Sequence, residues 1–384
     1  MSSATRVVHL TGTTRHSDDP RQDFAVFRNS LLSPALGMSR SFKDVVEGWN
    51  NLPSDEFESG WKLLVLDHED AVGYIPGAFA EVATWDRRLF ERDEAGRTIR
   101  LIPRDRSIQG CNDALVVFCE QNRDRPGFKN GLEPWLQGKR KYELDVEKKN
   151  KEKAPDYTPV LTRCLELEGL KVPSPIRGIL GILTSGVHMN TYTVKKGENG
   201  EEVVDRIWVS YRKSIKTAYG DCYDQIVAGG TDPENGRRPW TTLHREAGEE
   251  AGYECDGTIM RLARDSRRVG VIDGFRTIYY RTKRDAKAGK AEEGHIEPGV
   301  RFCFDLKLDA GQTPRPNEAG MDFYQFPVAT IKEFLRRGLW KPNSGLVMLD
   351  FLLRRGLVDA QSDREAIERL YTQGPPLEVP VFPI

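Results

Sequence analysis

Arg245, Glu246, Glu249 and Glu250 are the residues whose types and spacing could do chemistry together. On a helix, at ~100° per residue, the three glutamates fall within an arc of about 100° on one face. Carboxylates crowded in this way repel one another, and a cation relieves the repulsion. Oxygen-only ligation selects hard ions, Mg²⁺ or Mn²⁺, and Mg²⁺ on carboxylates keeps positions for water and substrate phosphates. A solvated helix whose glutamates pair with Arg245 and His244 would use the same residues. The surrounding order favours the metal site. Gly229-Gly230 follows the apolar run Ile226-Val227-Ala228, and a turn with Asp232, Pro233, Asn235 and Gly236 comes next. A helix then opens near Pro239 and closes at Gly252, residues suited to those two ends.

These residues need a sheet behind them. Trp240, Leu243, Ala247 and Ala251 form the stripe that docks the helix, which puts the carboxylates at the rim of the docking face. Gln225 to Ala228 reads as the strand that feeds the turn. Gly181 to Val194 and Val203 to Tyr211 read as a strand pair, and 267–272, 274–281 and 300–306 as further strands. The stretch 282–299 reads as a mobile loop. Phe323 to Pro327 reads as an edge piece, and Val328 to Arg337 and Ser344 to Arg355 as covering helices. Strands around a central acidic helix, with later helices over the sheet, imply an α/β/α sandwich.

Before it, Ser41 and Asp44 mark a capping box. Trp61 to Asp67 and Ala71 to Ile75 read as a hairpin, with His68, Glu69 and Asp70 as its turn rather than a metal site. Helices from Gly77 to Trp85 and Cys111 to Gln121, with a strand from Arg97 to Ile102, complete a small α+β unit without a chemical constellation. Lys139 to Lys153 alternates in charge and reads as a solvated helix or linker. The expected organisation is a tail (1–22), the α+β unit (23–138), a charged linker (139–172), the sandwich (173–373) and a proline-bearing tail (374–384).

Composition excludes several classes. The 57 basic and 58 acidic residues give a net charge of −1, so nothing draws the chain toward nucleic acid or membrane. No apolar run approaches the ~20 residues that span a bilayer. The six cysteines contain no C-x-x-C and read as reduced thiols of a cytoplasmic protein.

The stretch 230–253 resembles the signature of the Nudix hydrolases, G-x5-E-x7-R-E-U-x-E-E-x-G-U with U apolar. Its second half fits as Arg245-Glu246-Ala247, Glu249-Glu250 and Gly252-Tyr253. The first half departs: the turn is one residue longer, and Arg237 stands where the signature has a glutamate that supports the loop. Segments outside the signature resemble one branch, the thiamine-pyrophosphokinase-related Nudix proteins of fungi and plants. They are Val72 to Ile75, Gly186 to Asn190, Trp208 to Lys216 with Tyr219 and Asp224, Phe302 to Leu306, and Lys341 to Asn343 with Leu346 to Leu352. The resemblance implies a stand-alone diphosphatase acting on thiamine diphosphate or its oxidised analogues. It implies that Glu246, Glu249, Glu250 and the Gly230 carbonyl hold Mg²⁺ or Mn²⁺. Glu249 or Glu250 would accept a proton, and Arg245 would orient a glutamate. The same resemblance favours a phosphate role for Arg212 and Lys216, which could equally be strand-surface charges. His188 and Asn190 alternate on one strand face. His188 is either a substrate contact or a satisfied core histidine.

Overall fold

A computed structural model describes residues 40–147, 154–214, 218–233, 238–375 and 377. The expected tail 1–22, residues 148–153 of the expected linker and most of the C-terminal tail lie outside the described residues.

The chain opens as its capping box dictates. Ser41 Oγ accepts from the Asp44 N–H, Asp44 returns the bond to the Ser41 N–H, and α1 (Phe42–Trp49) follows. After α2 (Ser54–Glu58), strands β1 (Trp61–Val65) and β2 (Gly73–Ile75) form the expected hairpin. Next come α3 (Gly77–Val82), β3 (Phe90–Asp93) and β4 (Thr98–Leu101). The sheet order is β2-β1-β4-β3, with β1 and β4 parallel. Helices α4 (Ile108–Asn122) and α5 (Lys129–Glu147) pack on this small sheet's core. The helix α5 starts ten residues before the charge run that announced it. Leu132, Trp135 and Leu136 give its first turns a buried stripe, which charge patterning does not reveal. Short strands β5 (Tyr157–Pro159) and β6 (Lys171–Pro173) lead to the main sheet.

That sheet holds β7 (Thr184–Lys196), β8 (Glu202–Arg212), β9 (Cys222–Asp224), β10 (Val227–Gly230), β11 (Tyr253–Asp256), β12 (Ile259–Leu262), β13 (Arg268–Lys283), β14 (Ile296–Leu308) and β15 (Met321–Pro327). Its order is β11-β12-β13-β14-β7-β8-β15, with β10 paired to β7 and β9 to β8. The β14–β7 pair is parallel and the others antiparallel, so the sheet is mixed.

The remaining helices are α6 (Pro239–Ala251), α7 (Val328–Arg336), α8 (Pro342–Arg354) and α9 (Gln361–Glu368). Strand alternation sends β7 side chains to opposite faces. Val187 and Met189, beside Phe302 and Phe304 of β14, share a core with Leu243, Ala247 and Ala251 of α6. The opposite face carries Asn190 and Tyr192. There Tyr192 packs on Phe351 of α8, with ring centroids 5.2 Å apart, and Arg354 donates to Asp305 at 3.0 Å. Helices thus cover both faces of a mixed sheet, the α/β/α arrangement expected from the sequence. Among the described residues, no helix is long and apolar enough to cross a membrane.

Two expectations change. The stretches 267–272 and 274–281 are one strand, β13, with a register shift between Ile272 and Gly274. The loop expected at 282–299 shrinks, because β13 runs to Lys283 and β14 starts at Ile296. What remains is pinned: Gly294 N–H donates to Arg284 O, and Arg284 pairs with both Glu292 and Glu297.

Candidate active site

The helix α6 forms where the sequence places it. Pro239 occupies its first turn, and Gly252 ends it with φ 64°, in the left-handed region. Leu243, Ala247 and Ala251 are buried, which fixes the rotation of the helix on the sheet. That rotation makes Glu246 and Glu250 8 % exposed, while Glu249 points outward with its side chain 59 % exposed.

Arg245 ties the site together. Its Nη2 donates to Glu246 Oε1 at 2.6 Å and to the Gly230 carbonyl at 3.0 Å, and its Nη1 donates to Glu249 Oε2 at 2.9 Å. Its Nε lies 3.2 Å from Asp232 Oδ2, an ion pair without hydrogen-bond alignment. Glu250 turns inward, where its Oε2 accepts the Ala228 N–H at 2.6 Å. One guanidinium therefore faces Asp232, Glu246 and Glu249, while Glu250 stays apart from it. Burial pushes the Glu246 carboxyl above its usual range, and Arg245 offsets only part of this. Burial raises Glu250 well above that range, against the Ala228 N–H.

Glu246 and Glu249, but not the inward-turned Glu250, line a cleft of about 1040 Å³. Arg245 and Gly230 line it too, together with Arg212, Arg284, Arg301 and Lys341. The strand β10 pairs only with β7 among the described strands, so the cleft passes its open edge. Asp224 is 2 % exposed between two of these cations, with Oδ2 3.4 Å from Arg212 Nη1 and 3.3 Å from Lys341 Nζ. Burial opposes its charge, yet Lys341 and Arg212 hold its carboxyl below the usual range. Burial also lowers the Lys341 ammonium, and Asp224 counters that.

The other expected residues are placed unequally. Arg212 lines the cleft, but its guanidinium also donates to Tyr219 O at 3.3 Å and Ala218 O at 3.1 Å, clamping that turn. His188 lines the cleft at 2 % exposure, with Nδ1 2.8 Å from Gln225 Oε1. Burial pushes its imidazole down to about 3, so it is neutral at physiological pH. Asn190 does not line the cleft: it is fully buried, donates to Asp305 at 3.0 Å and accepts from Gln225 at 3.3 Å. Lys216 and Arg237 lie outside the described residues. Sequence reasoning passed over Asp224, Arg284, Arg301 and Lys341 as charged site residues. The Lys341-Pro-Asn343 and Asp224 resemblances were the available signals for two of them.

Whether the carboxylate end suits a divalent ion rests on its charge and donors. It offers only oxygen, and among the described residues Arg245 is the cation paired with its acidic groups. Among the described residues, only His68, Cys164 and Glu166 bring three ligand atoms within 4.8 Å of one another. The helix carboxylates do not, because Arg245 stands between Glu246 and Glu249 while Glu250 faces Ala228. The donor set fits Mg²⁺ or Mn²⁺ by chemistry; holding the ion requires these side chains to re-aim.

No family profile matches the chain. It is 27 % identical over 198 residues to the uncharacterized Saccharomyces cerevisiae protein YJR142W, covering 51 % of this chain and 54 % of that one. It is 28 % identical over 194 residues to Nudix hydrolase 20, chloroplastic, of Arabidopsis thaliana, covering 50 % and 44 %. Nudix hydrolase 24, chloroplastic, of the same plant is 27 % identical over 194 residues, covering 50 % and 45 %. The chain spans about half the length of these curated relatives. Among solved structures, the Nudix domain of Shewanella oneidensis NrtR complexed with ADP ribose matches at 12 % identity and a TM-score of 0.24. It covers 38 % of this chain and 74 % of that one. The sandwich, and the R-E-x-x-E-E helix set against a glycine pair, agree with this similarity to Nudix hydrolases, which covers about half of the chain.

Proposed function

We propose that the protein hydrolyses a diphosphate linkage in a small molecule, with Mg²⁺ or Mn²⁺, and that its substrate is thiamine diphosphate or an oxidised analogue. The products are the monophosphate and phosphate. The observation that supports this reading is the pairing of two poles in one cleft: Glu246 and Glu249 at one end, and Lys341, Arg212, Arg284 and Arg301 along the wall. A diphosphate needs both. Glu246, Glu249, Glu250 and the Gly230 carbonyl would hold the metal. When bound, the ion neutralises phosphate charge and acidifies water. Glu249, the more exposed carboxylate, takes the proton from the attacking water. Glu250 holds the Ala228 N–H, and with it the start of the glycine pair. Arg245 orients Glu246 and Glu249, and Lys341 grips a phosphate oxygen.

The thiamine-type reading is supported by the resemblances outside the signature. Nucleoside or sugar diphosphates are the second reading, supported by the signature itself; a non-catalytic diphosphate binder is the third, motivated by Arg237 and the longer turn. The deciding experiment measures phosphate release and kcat/KM for thiamine, oxythiamine and oxothiamine diphosphates beside a nucleoside diphosphate and a sugar nucleotide. Each is run with Mg²⁺, with Mn²⁺ and with chelator. Preference for a thiamine-type compound is the expected result. A clear preference for a nucleotide overturns the substrate, and no release from any compound overturns the enzyme.

A further inference from the structure

The cleft is not walled by the Nudix sheet alone. Trp135 of α5 and Tyr157 of β5 line it with Glu246 and Glu249. Contacts fix the order of the wall between them. Asn130 Nδ2 of α5 donates to Lys290 O at 3.2 Å, which seats that helix on the loop between β13 and β14. In that loop Glu292 pairs with Arg177 and Arg284. Arg284 and Arg301 each reach Glu297 at 2.8 Å. Arg301 of β14 lies beside Gly186 of β7, and Gly186 beside Gly230 of β10. Two strand spacings of ~4.8 Å put about 10 Å between the Arg301 and Gly230 backbones. The sequence along the wall is therefore carboxylates, arginines, then α5 and β5. A diphosphate held between the first two directs its organic group toward the third.

What waits there is aromatic and held in place. Trp135 and Tyr157 meet edge to face, 5.4 Å between centroids and 85° between planes. Trp135 Nε1 donates to Asp156 O at 2.8 Å, which fixes the indole. Lys171 Nζ lies 4.7 Å from the Tyr157 ring centre and covers one face. Such a pair suits a flat ring, which gains from offset or edge contacts.

We infer that the segment before the Nudix sheet is the specificity wall of the cleft, with Trp135 and Tyr157 receiving the ring of the substrate's organic group. The inference rests on the diphosphatase reading above and adds a ring-recognition role for α5 and β5.

The test uses the full chain with Tyr157→Ala and with Asn130→Trp, which adds bulk from an exposed position on the same wall. Trp135→Ala is a third variant, though its indole is also core. Steady-state kinetics compare thiamine diphosphate, which carries rings, with isopentenyl diphosphate, which carries none. Calorimetry compares thiamine diphosphate with inorganic diphosphate. The expected result is a KM for the ring-bearing compound about tenfold higher in both variants, with kcat changed less than about twofold. The ratio of ring-bearing to ringless affinity falls by the same factor. An unchanged ratio in folded Tyr157→Ala and Asn130→Trp overturns the inference. If the wild type hydrolyses neither compound, the thiamine-type substrate falls, and the calorimetric ratio still decides the wall. If thiamine diphosphate does not bind the wild type more tightly than inorganic diphosphate, the wall falls too.

Discussion

The Glu246 carboxylate occupies the space that a side chain on Gly229 would need. A Cβ at Gly229 would stand 1.8 Å from Glu246 Cδ, well inside any tolerable contact. The glycine pair is thus a cradle for one carboxylate, since only a residue without a side chain lets the helix rim approach β10 so closely. Gly229→Ala should drive Glu246 off the site and lower kcat by at least about tenfold. Thermal unfolding should show the fold retained, because the clash is with a rim side chain and not with the core. Activity within twofold of wild type would separate Glu246 from the reaction.

Glu249→Gln and Glu250→Gln should each lower kcat by at least ~10²-fold, as expected for loss of a base or a metal ligand. The two should differ elsewhere. Glu249 is exposed, so its variant keeps wild-type stability. Glu250 is buried and holds the Ala228 N–H, and its neutral amide still accepts that bond. Because burial disfavours the Glu250 charge, Glu250→Gln should be as stable as wild type or more so without metal. Urea melts with and without Mg²⁺ read this directly, and near-normal turnover in both variants would refute the site.

How much of this was legible in the sequence follows from distance along the chain. The helix α6, its first-turn Pro239 and its closing Gly252 are local facts of spacing and stand as expected, whereas the three carboxylates do not converge on one point. The long strands β7, β8, β13 and β14 carry enough apolar pattern to be seen, whereas β3, β9, β11 and β12 are too short for periodicity to register. The basic wall was hidden for another reason. Asp224 meets Lys341 across 117 residues, and Arg301 meets Thr184 across the same separation. Those pairs exist only because β14 lies parallel to β7 and α8 returns over the sheet, a register that no local window encodes. The small α+β unit looked chemically blank for the same reason, since Trp135 becomes a cleft residue only when α5 seats on the β13–β14 loop.

Lys341→Gln should raise KM for the diphosphate about tenfold with kcat changed far less, because a ground-state phosphate contact is lost. Its ammonium pairs with Asp224 and also lines the cleft, where a phosphate can meet it. The variant also leaves the buried Asp224 with Arg212 and the Gln225 N–H but without the Lys341 ammonium, so some stability is lost. Asp224→Asn in the Lys341→Gln background removes that under-compensated charge. It should recover stability without recovering KM. If KM recovers as well, Lys341 serves the fold and not the phosphate.

His188 gives the molecule an acid limb. It is buried beside Gln225, and Asp224, Lys341 and Arg301 are the charged groups that act on it. Burial lowers its folded proton affinity to about 3, while an unfolded histidine titrates near ~6.5. Between those values the unfolded chain binds a proton that the folded chain refuses. The stability that neutral His188 supports is therefore complete above ~6.5 and is lost progressively as pH falls toward 3. At pH 5 the loss is about 2 kcal/mol, set by the unfolded titration alone. His188→Gln keeps a hydrogen-bonding side chain and removes the titration. Urea unfolding of both proteins at pH 7.5 and pH 5.0 checks this. Wild type should lose about 2 kcal/mol more than the variant between the two pH values. Equal losses would mean that His188 takes up its proton in the folded protein and is open to solvent.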